Sequence, residues 1–302
     1  MGIFHGCCVN KKVTGNEIRA KDSIPRVEDS WGSGNAMGRS VENRTEYRIP
    51  CPKVSVIMPA YNSEEFIEQA IRSALNQTYS NLEVIVIDDN SNDGTNSIVK
   101  KLADEDDRVI LVRNEHNLGA AQSRNKGMDL CRGEYVALLD SDDVWYPEKL
   151  EVQMELAQKE NADIVYCSYA ITDEKGQKKC PDFIVSECAS LESTIIKSEI
   201  SCSTAILGPG VIKGYRFPHE YYHEDLALWL RLLKDGMKAV GTKQVLAEYR
   251  LRGNSRAANK MHVAKQRWII YRSLLGLSAV KSSYCLLRYA VGGFLKYRES
   301  KR

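Results

Sequence analysis

Asp140-Ser141-Asp142-Asp143 places three carboxylates within four consecutive residues. Carboxylates this close repel one another unless positive charge neutralises them. A divalent cation with an anionic ligand would do so, because Mg²⁺ and Mn²⁺ prefer oxygen ligands and complete their shells with water and phosphate oxygens. The plainer alternative is an acidic loop that caps a helix beginning near Pro147. The stretch predicts a metal site or a helix cap.

A second acidic pair, Asp88-Asp89, is followed by Asn90 and Gly94. One carboxylate here could accept a hydrogen bond from a base N–H or a ribose hydroxyl. The same residues are equally typical of an Asx turn. The sequence has no G-x-G-x-x-G after its first strand and no G-x-x-x-x-G-K-[ST], which argues against Rossmann dinucleotide binding and P-loop chemistry.

Short apolar strands alternate with amphipathic helices around these acidic residues. This alternation is typical of βαβ units and predicts an α/β fold with a mostly parallel sheet, buried on both faces and flanked by helices. Both acidic clusters follow strand carboxyl ends, the edge where open α/β sheets bind ligands. Strands are predicted at 54–58, 83–88, 109–112 and 135–139, and helices from about 62, over 95–103 and from 119 to about 130.

The chain divides into three parts by composition. Residues 1–50 lack apolar periodicity and are rich in polar residues, which predicts a disordered extension. Residues 51–250 form the α/β domain, with a regular half over 51–145 and a less regular half over 146–250. Residues 251–302 are predicted to form a basic amphipathic helical tail.

The net charge of +2 hides an uneven distribution, since thirteen Lys and Arg but one acid follow Tyr249. A basic amphipathic helix lies on an anionic membrane surface. Nucleic-acid binding is a weaker alternative because no recognised nucleic-acid module is present; a helical cap on the α/β domain is a stronger one. No signal peptide and no uncharged apolar run of about 18 residues is found. We therefore expect a peripheral protein on the cytoplasmic side of the inner membrane, without a transmembrane span.

Four motifs together resemble the inverting family 2 glycosyltransferases, which have the GT-A fold. The resemblance is specific over about 53–150 and weaker to about 250, and it is closest to bacterial enzymes of O-antigen and surface-polysaccharide synthesis. The motifs are the stretch 54–62, Asp88-Asp89-Asn90-Ser91, Asn117-Leu118-Gly119 with Arg124-Asn125, and Asp140-Ser141-Asp142-Asp143.

The resemblance implies roles on the nucleotide side of the site. Ala60 and Tyr61 resemble the segment that lines the nucleotide pocket. Asp89 resembles the acid that reads uracil, with Asp88 as the second choice. Arg124 resembles the arginine near the nucleotide and pyrophosphate. Its alternative is a surface arginine paired with a nearby acid, either Asp129 or Glu134.

The acidic triplet takes three roles by the same resemblance. Asp140 resembles the carboxylate at the ribose side and a metal ligand, and Asp142 the principal ligand of Mn²⁺ or Mg²⁺. Asp143 is expected closer to the donor sugar and acceptor.

His223-Glu224-Asp225 resembles the family's Glu-Asp pair. An inverting transfer is a single displacement in which a carboxylate takes the proton of the acceptor hydroxyl, so Asp225 is predicted as the base and Glu224 as its partner. The alternative is an acidic helix N-terminus, which is stabilised by about 0.3 to 1 kcal/mol. Arg250 resembles a residue of the loop that closes over the pyrophosphate, although Arg252 stands where a histidine is common.

These resemblances imply a metal-dependent hexosyltransferase. The expected donor is a UDP-sugar, with glucose or galactose favoured. The expected acceptor is lipid-linked, such as GlcNAc or GalNAc on undecaprenyl pyrophosphate, and the product linkage is β. The alternatives are a sugar-1-phosphate nucleotidyltransferase and a non-catalytic relative that binds UDP-sugar. A nucleotidyltransferase usually has a Gly-rich basic loop after the first strand, which is absent here.

Overall fold

The computed structural model describes residues 51–252 and 260–299. The predicted extension over 1–50 lies outside the described residues. The first half of the domain contains β1 (Val54–Ala60), α1 (Ile67–Leu75), β2 (Leu82–Asp88), α2 (Thr95–Glu105), β3 (Val109–Arg113), α3 (Ala120–Leu130) and β4 (Tyr135–Leu138).

The second half of the domain has shorter strands and a more irregular order. A 3₁₀-helix at Cys202–Thr204 directly precedes the strand at Ile206–Leu207. Its elements are β5 (Val144–Trp145), α4 (Lys149–Glu160), β6 (Ile164–Thr172), β7 (Lys178–Phe183), β8 (Cys188–Ala189), α5 (Leu191–Ile196), β9 (Ile206–Leu207), α6 (Pro209–Gly214), α7 (Glu224–Lys234) and β10 (Ala239–Arg250).

One sheet runs through both halves, in the order β3-β2-β1-β4-β9-β6-β10-β5. The pairs β1–β2, β1–β4, β2–β3 and β6–β10 are parallel, as the alternation of strands and helices predicts. β9 is antiparallel to both of its neighbours, β4 and β6, and so joins the two halves. Because the halves share a sheet, they cannot move as separate bodies without breaking strand pairs.

The strands β1, β2 and β4 are almost wholly buried because both faces of the sheet are covered there. On β1, Val56 and Met58 pack with α1, α2 and α4, whereas Ile57 packs with α3, α6 and α7. A side chain on Gly127 of α3 would lie 2.5 Å from Ile57 Cγ2, too close for a real contact. This glycine therefore lets α3 approach β1, which brings Arg124, one turn earlier, to the carboxyl edge.

The tail forms two helices rather than one, α8 (Lys260–Ser273) and α9 (Ala279–Glu299). Ile270 and Tyr271 of α8 are fully buried against Leu226, Ala227 and Leu230 of α7. The tail thus packs as a helical cap on the domain. Among the described residues, no helix is both long enough and apolar enough to cross a membrane.

Candidate active site

A cavity of about 850 Å³ lies at the carboxyl edge of the sheet. It is bounded by the loops after β1, β2 and β4 on one side, and by the start of α7 and the end of β10 on the other. The sequence-predicted residues that line it are Ala60, Tyr61, Asp89, Arg124, Asp140, Asp142, Glu224, Asp225 and Arg250. The structure therefore brings nine predicted side chains to one cavity.

Hydrogen bonds between loops fix the side of the cavity that Ala60, Tyr61 and Asp89 line. The hydroxyls of Ser63, after β1, and Ser141, after β4, are 2.8 Å apart. The Asn62 amide donates to Ser91 Oγ at 3.0 Å, which joins the loops after β1 and β2. Asn62 has φ of 48°, a left-handed conformation that Asn adopts more readily than most residues. The three loops form one connected wall.

Asp89 holds the loop that leads into α3. Its Oδ1 accepts hydrogen bonds from Asn114 Nδ2 and the Leu118 amide, and its Oδ2 accepts one from the Gly119 amide, each at 2.8 Å. Gly119 has φ of 84°, which favours glycine at this position. A carboxylate oxygen has two lone pairs, so Oδ2 retains the capacity to accept a further donor, such as a base N–H.

Asp88 does not line the cavity. It is fully buried, and its carboxylate accepts the Ser91 amide at 2.9 Å and Asn96 Nδ2 at 2.8 Å. Of the two adjacent acids, Asp88 closes the turn, as the Asx-turn alternative predicts, and Asp89 faces the ligand space.

Asp140 and Asp142 are the two acids of the β4 loop that reach the cavity. Burial raises the pKa of Asp142, and the nearby charge of Asp140 raises it further. Among the described residues, the one cation within 4 Å of Asp142 is Arg252, whose Nη1 lies 3.7 Å from Oδ2, too far for a hydrogen bond. The protein groups that the structure describes therefore compensate the negative charge of this loop incompletely.

Asp143 differs from the expectation. It is 1% exposed, is not among the lining residues, and accepts hydrogen bonds from Ser203 Oγ at 2.5 Å and the Arg250 amide at 2.9 Å. Burial raises its pKa well above the usual carboxyl range, followed by the charge of Asp142. Its two partners belong to the 3₁₀-helix and to β10, so Asp143 fixes Arg250 against the acidic loop from behind the cavity.

Arg124 joins the two sides of the cavity. Its Nη2 donates to Asp140 Oδ1 at 2.6 Å and its Nη1 to Glu224 Oε1 at 2.8 Å. The guanidinium is 5% exposed and also lies over the Phe217 ring, 5.3 Å from its centroid. The alternative of a surface pair with Asp129 is wrong, because Asp129 accepts from Arg216 instead.

Asp225 reaches the cavity beside Glu224, at the start of α7. Burial raises the pKa of the Asp225 carboxyl, and the charge of Glu224 raises it further. The Leu226 amide donates to Asp225 Oδ1 at 2.7 Å. A carboxyl with a raised pKa is suited to proton transfer, so the two acids differ: Glu224 is paired with Arg124, and Asp225 faces the ligand space.

Arg250 is buried and incompletely satisfied. Its Nη2 donates to Gln69 Oε1 at 2.8 Å and its Cζ lies 4.7 Å from the Phe66 ring centroid. Among the described residues, its buried Nε and Nη1 have no hydrogen-bond partner. The Arg252 guanidinium lies 5.3 Å from the same Phe66 ring. Two guanidiniums this close together form a place suited to an oxyanion.

Sequence reasoning missed several lining residues. Cys202 and Tyr222 belong to no motif, and no periodicity marks them, so their sequence gave no signal. Tyr249 did have a signal in the sequence, because it directly precedes Arg250. Burial raises the pKa of Tyr249, as does the charge of Asp143. Trp145, two residues after the acidic triplet, does not line the cavity: it is 3% exposed and packs in the core.

The donor set suits a divalent cation that brings its own ligands. Within the part of the chain that the structure describes, no three His, Cys, Asp or Glu side chains could hold a metal ion by themselves. Asp140 and Asp142 line a cavity that has more acidic than basic side chains among its lining residues. Mg²⁺ and Mn²⁺ are commonly held by one or two carboxylates together with substrate phosphates and water. The residues therefore fit a metal that binds with a diphosphate.

The sheet, its acidic carboxyl edge and the paired acids at the start of α7 meet at one candidate active site. Residues 55–201 match the family described as "Glycosyl transferase family 2". The chain is 36% identical to the putative teichuronic acid biosynthesis glycosyltransferase TuaG of Bacillus subtilis, over 79% of this chain and 95% of that protein. It is also 36% identical to the Escherichia coli UDP-Glc:alpha-D-GlcNAc-diphosphoundecaprenol beta-1,3-glucosyltransferase WfaP, over 82% of this chain and 97% of that protein. The chain belongs to glycosyl transferase family 2.

Solved structures show the same fold. S. aureus TarS residues 1–349 in complex with UDP superpose with a TM-score of 0.60 at 22% identity, over 79% of this chain and 70% of that one. The mannosyltransferase PcManGT of Pyrobaculum calidifontis, in complex with GDP-Man and Mn²⁺, has a TM-score of 0.60 at 18% identity, over 80% of this chain and 73% of that one. The fold is GT-A, as the resemblance implied.

Proposed function

We propose that this protein is an inverting, metal-dependent hexosyltransferase that uses a UDP-sugar and forms a β-linkage on a lipid-linked acceptor. The observation that supports it best is the shared cavity. Two acids suited to a metal-bound diphosphate, Asp140 and Asp142, and an acid suited to proton transfer, Asp225, line the same 850 Å³ space.

The nucleotide would bind on the wall formed by the loops after β1 and β2. Ala60 and Tyr61 would line the base and ribose, and Asp89 would accept the uracil N–H through Oδ2. Asp142 and Asp140 would hold Mn²⁺ or Mg²⁺, which supplies positive charge to the diphosphate when bound. Arg124 would keep Asp140 oriented and place positive charge near the pyrophosphate.

The transfer would be a single displacement. The acceptor hydroxyl oxygen forms a bond to the anomeric carbon of the sugar on the face opposite the nucleotide. The bond from that carbon to the diphosphate oxygen breaks, and its electron pair leaves with UDP. Asp225 takes the hydroxyl proton as the new bond forms. The α-linked donor sugar thereby becomes a β-linked product.

The leaving UDP gains negative charge during this step. Arg250 offers two buried N–H groups that have no partner among the described residues, and the Arg252 guanidinium lies over the same Phe66 ring. Such donors stabilise developing oxyanion charge. Asp143 assists from behind by accepting the Arg250 amide, and we assign it a positioning role rather than contact with the sugar.

WfaP supports the choice of substrates. Its name states transfer of glucose from UDP-Glc to GlcNAc-diphosphoundecaprenol, and it is 36% identical over 82% of this chain. We therefore favour glucose, with galactose second, and GlcNAc or GalNAc on undecaprenyl pyrophosphate as acceptor, in O-antigen or other surface-polysaccharide synthesis.

A lipid-linked acceptor requires access to a membrane. The basic tail would bring the protein to the anionic cytoplasmic face of the inner membrane as a peripheral protein. No nucleic-acid partner is proposed.

The proposal is tested by incubating the purified full chain with Mn²⁺, a panel of UDP-sugars and a synthetic GlcNAc-pyrophosphoryl lipid. We expect one UDP-hexose to yield a disaccharide lipid with a β-linkage by mass spectrometry and NMR, and EDTA to abolish its formation. Pyrophosphate release from UTP and sugar 1-phosphate, without such a product, would instead indicate a nucleotidyltransferase. UDP-sugar binding without any transfer would indicate a non-catalytic relative.

A further inference from the structure

A row of exposed apolar side chains runs along α9. Val280, Tyr284, Leu287 and Val291 are 81%, 57%, 64% and 48% exposed. Their spacing of four, three and four residues places them on one helix face. Single exposed apolar residues are ordinary, but a contiguous row marks an interaction site. We call these four residues the α9 row.

The opposite face of α9 is occupied, which fixes the direction of the row. Cys285 and Leu286 pack with Ile195 of α5 and Ile270 of α8 in one cluster. Arg267 of α8 lies over a ring of α9, because its Cζ is 3.8 Å from the Tyr289 centroid. Since this side of the helix is committed to the domain, the α9 row faces away from it.

Positive charge borders the row. Lys281 and Arg288 are exposed on α9, each one residue beyond a member of the row. Arg288 donates to the Tyr284 hydroxyl at 2.9 Å. The sequence from 260 to 298 contains no Asp or Glu. An apolar row with a basic border and no acid matches an anionic bilayer, in which acyl chains lie beneath phosphate groups.

We propose that α9 lies in the surface of an anionic bilayer, with the α9 row at the boundary of headgroups and acyl chains and with Lys281 and Arg288 against lipid phosphates. This bilayer contact rests on the proposed function, because a lipid-linked acceptor would be present in that bilayer. On α8, Ile270 and Tyr271 are buried in the domain and so do not contact the bilayer.

The helix pair is continuous with the rim of the cavity. His262, in the first turn of α8, makes an edge contact with Tyr222, a lining residue, with ring centroids 4.5 Å apart. A bilayer contact through α9 therefore holds the cavity rim close to the surface from which a lipid acceptor enters.

The test is co-sedimentation of the full chain with vesicles of neutral phosphatidylcholine and of phosphatidylcholine with phosphatidylglycerol. The variants are Tyr284→Ser/Leu287→Ser for the row and Lys281→Glu/Arg288→Glu for its border. Leu130→Ser, an exposed leucine at the end of α3, is the matched control. Point substitutions are preferred to truncation because removing α8 would expose buried residues of α7.

We expect the wild type and the control to bind the anionic vesicles and to bind the neutral ones at least about tenfold more weakly. Each double variant should weaken anionic binding by about tenfold or more. The border variant replaces two basic groups that contact lipid phosphates, and the row variant removes two large apolar side chains from the boundary of headgroups and acyl chains. Wild-type binding by both double variants would overturn the proposal. A wild-type dimer in analytical ultracentrifugation that the row variant abolishes would assign the row to a second copy and would also overturn it.

A transfer assay separates this inference from the proposed function. On a water-soluble, short-chain acceptor analogue the row variant should have wild-type kcat, because the α9 row does not line the cavity. If the wild type binds vesicles but transfers no sugar, the proposed function is wrong and the bilayer contact of α9 is supported. If the wild type transfers sugar but does not bind vesicles, the bilayer contact of α9 is wrong and the proposed function is supported.

Discussion

Arg124 determines how the two acids at the start of α7 differ. It pairs with Glu224 and leaves Asp225, the next residue, facing the cavity with a raised pKa. Two adjacent carboxyls in different environments can take different parts in one reaction. Burial raises the pKa of the Asp225 carboxyl and the charge of Glu224 raises it further, so we propose that Asp225 exchanges the proton and that Glu224 adjusts its pKa.

The pH dependence of transfer follows from this arrangement. A base must be ionised, so kcat should fall on acidification, with a midpoint above the ordinary aspartate pKa of 3.8. Glu224→Gln removes a charge that raises the pKa of Asp225, so the midpoint should move to lower pH. The measurement is the pH profile of kcat for both proteins, with circular dichroism at each pH to confirm that they stay folded. A midpoint that Glu224→Gln leaves in place would contradict this account of the pair.

The position of the acids at strand ends leaves helix caps and Asx turns open as alternatives, and the roles of the individual side chains are predicted only by the four motifs that resemble glycosyltransferase family 2. The role of Asp143 could not be predicted in the same way. Three neighbouring acids look alike in sequence, and only packing decides that Asp143 turns inward to Ser203. Cys202 reaches the cavity through a non-local contact of the 3₁₀-helix, which no local pattern records.

At the scale of elements, Gly127 sets the distance between α3 and β1. Gly127→Ala would place a methyl group 2.5 Å from Ile57 Cγ2, and the helix or the strand must shift. Over-packing of this kind costs about 1 to 3 kcal/mol. Because Arg124 lies one turn away, kcat should fall as well. Thermal unfolding and transfer rates measure the two effects.

Gly214 at the end of α6 provides the matched control, since a Cβ there meets nothing within 4 Å. Gly214→Ala should change the free energy of unfolding by less than about 1 kcal/mol. Equal stability of the two variants would show that α3 has room to move and that the close approach has no consequence.

The first four strands and the intervening helices follow from local periodicity. The remainder of the sheet does not. β5, β8 and β9 contain two residues each, and such strands exist through their pairing with distant segments, as β9 does between β4 and β6. The first predicted helix also begins later than its polar residues suggest, at Ile67, because Asn62 and Ser63 bond to other loops.

At the scale of the whole molecule, the acidic and the basic residues lie in different parts of the structure. The acids that line the cavity lie at the edge of the sheet, and eight basic residues of the tail, between 260 and 298, lie on α8 and α9. The prediction of C-terminal helices is confirmed. Their packing agrees with the helical-cap alternative, but the sequence could not identify α7 as the partner because both faces of α8 carry apolar residues. The cavity and the tail thus belong to one domain.

The central claim is that Asp225 serves as the base for sugar transfer in this cavity. The measurement is the transfer rate of Asp225→Asn, with UDP affinity by calorimetry on the same protein and with Asp235→Asn, at the exposed end of α7, as control. We expect transfer to fall by about 10²-fold to 10⁴-fold or more, UDP affinity to stay within about twofold, and the control to match the wild type. Asp225→Asn with wild-type turnover would contradict the account.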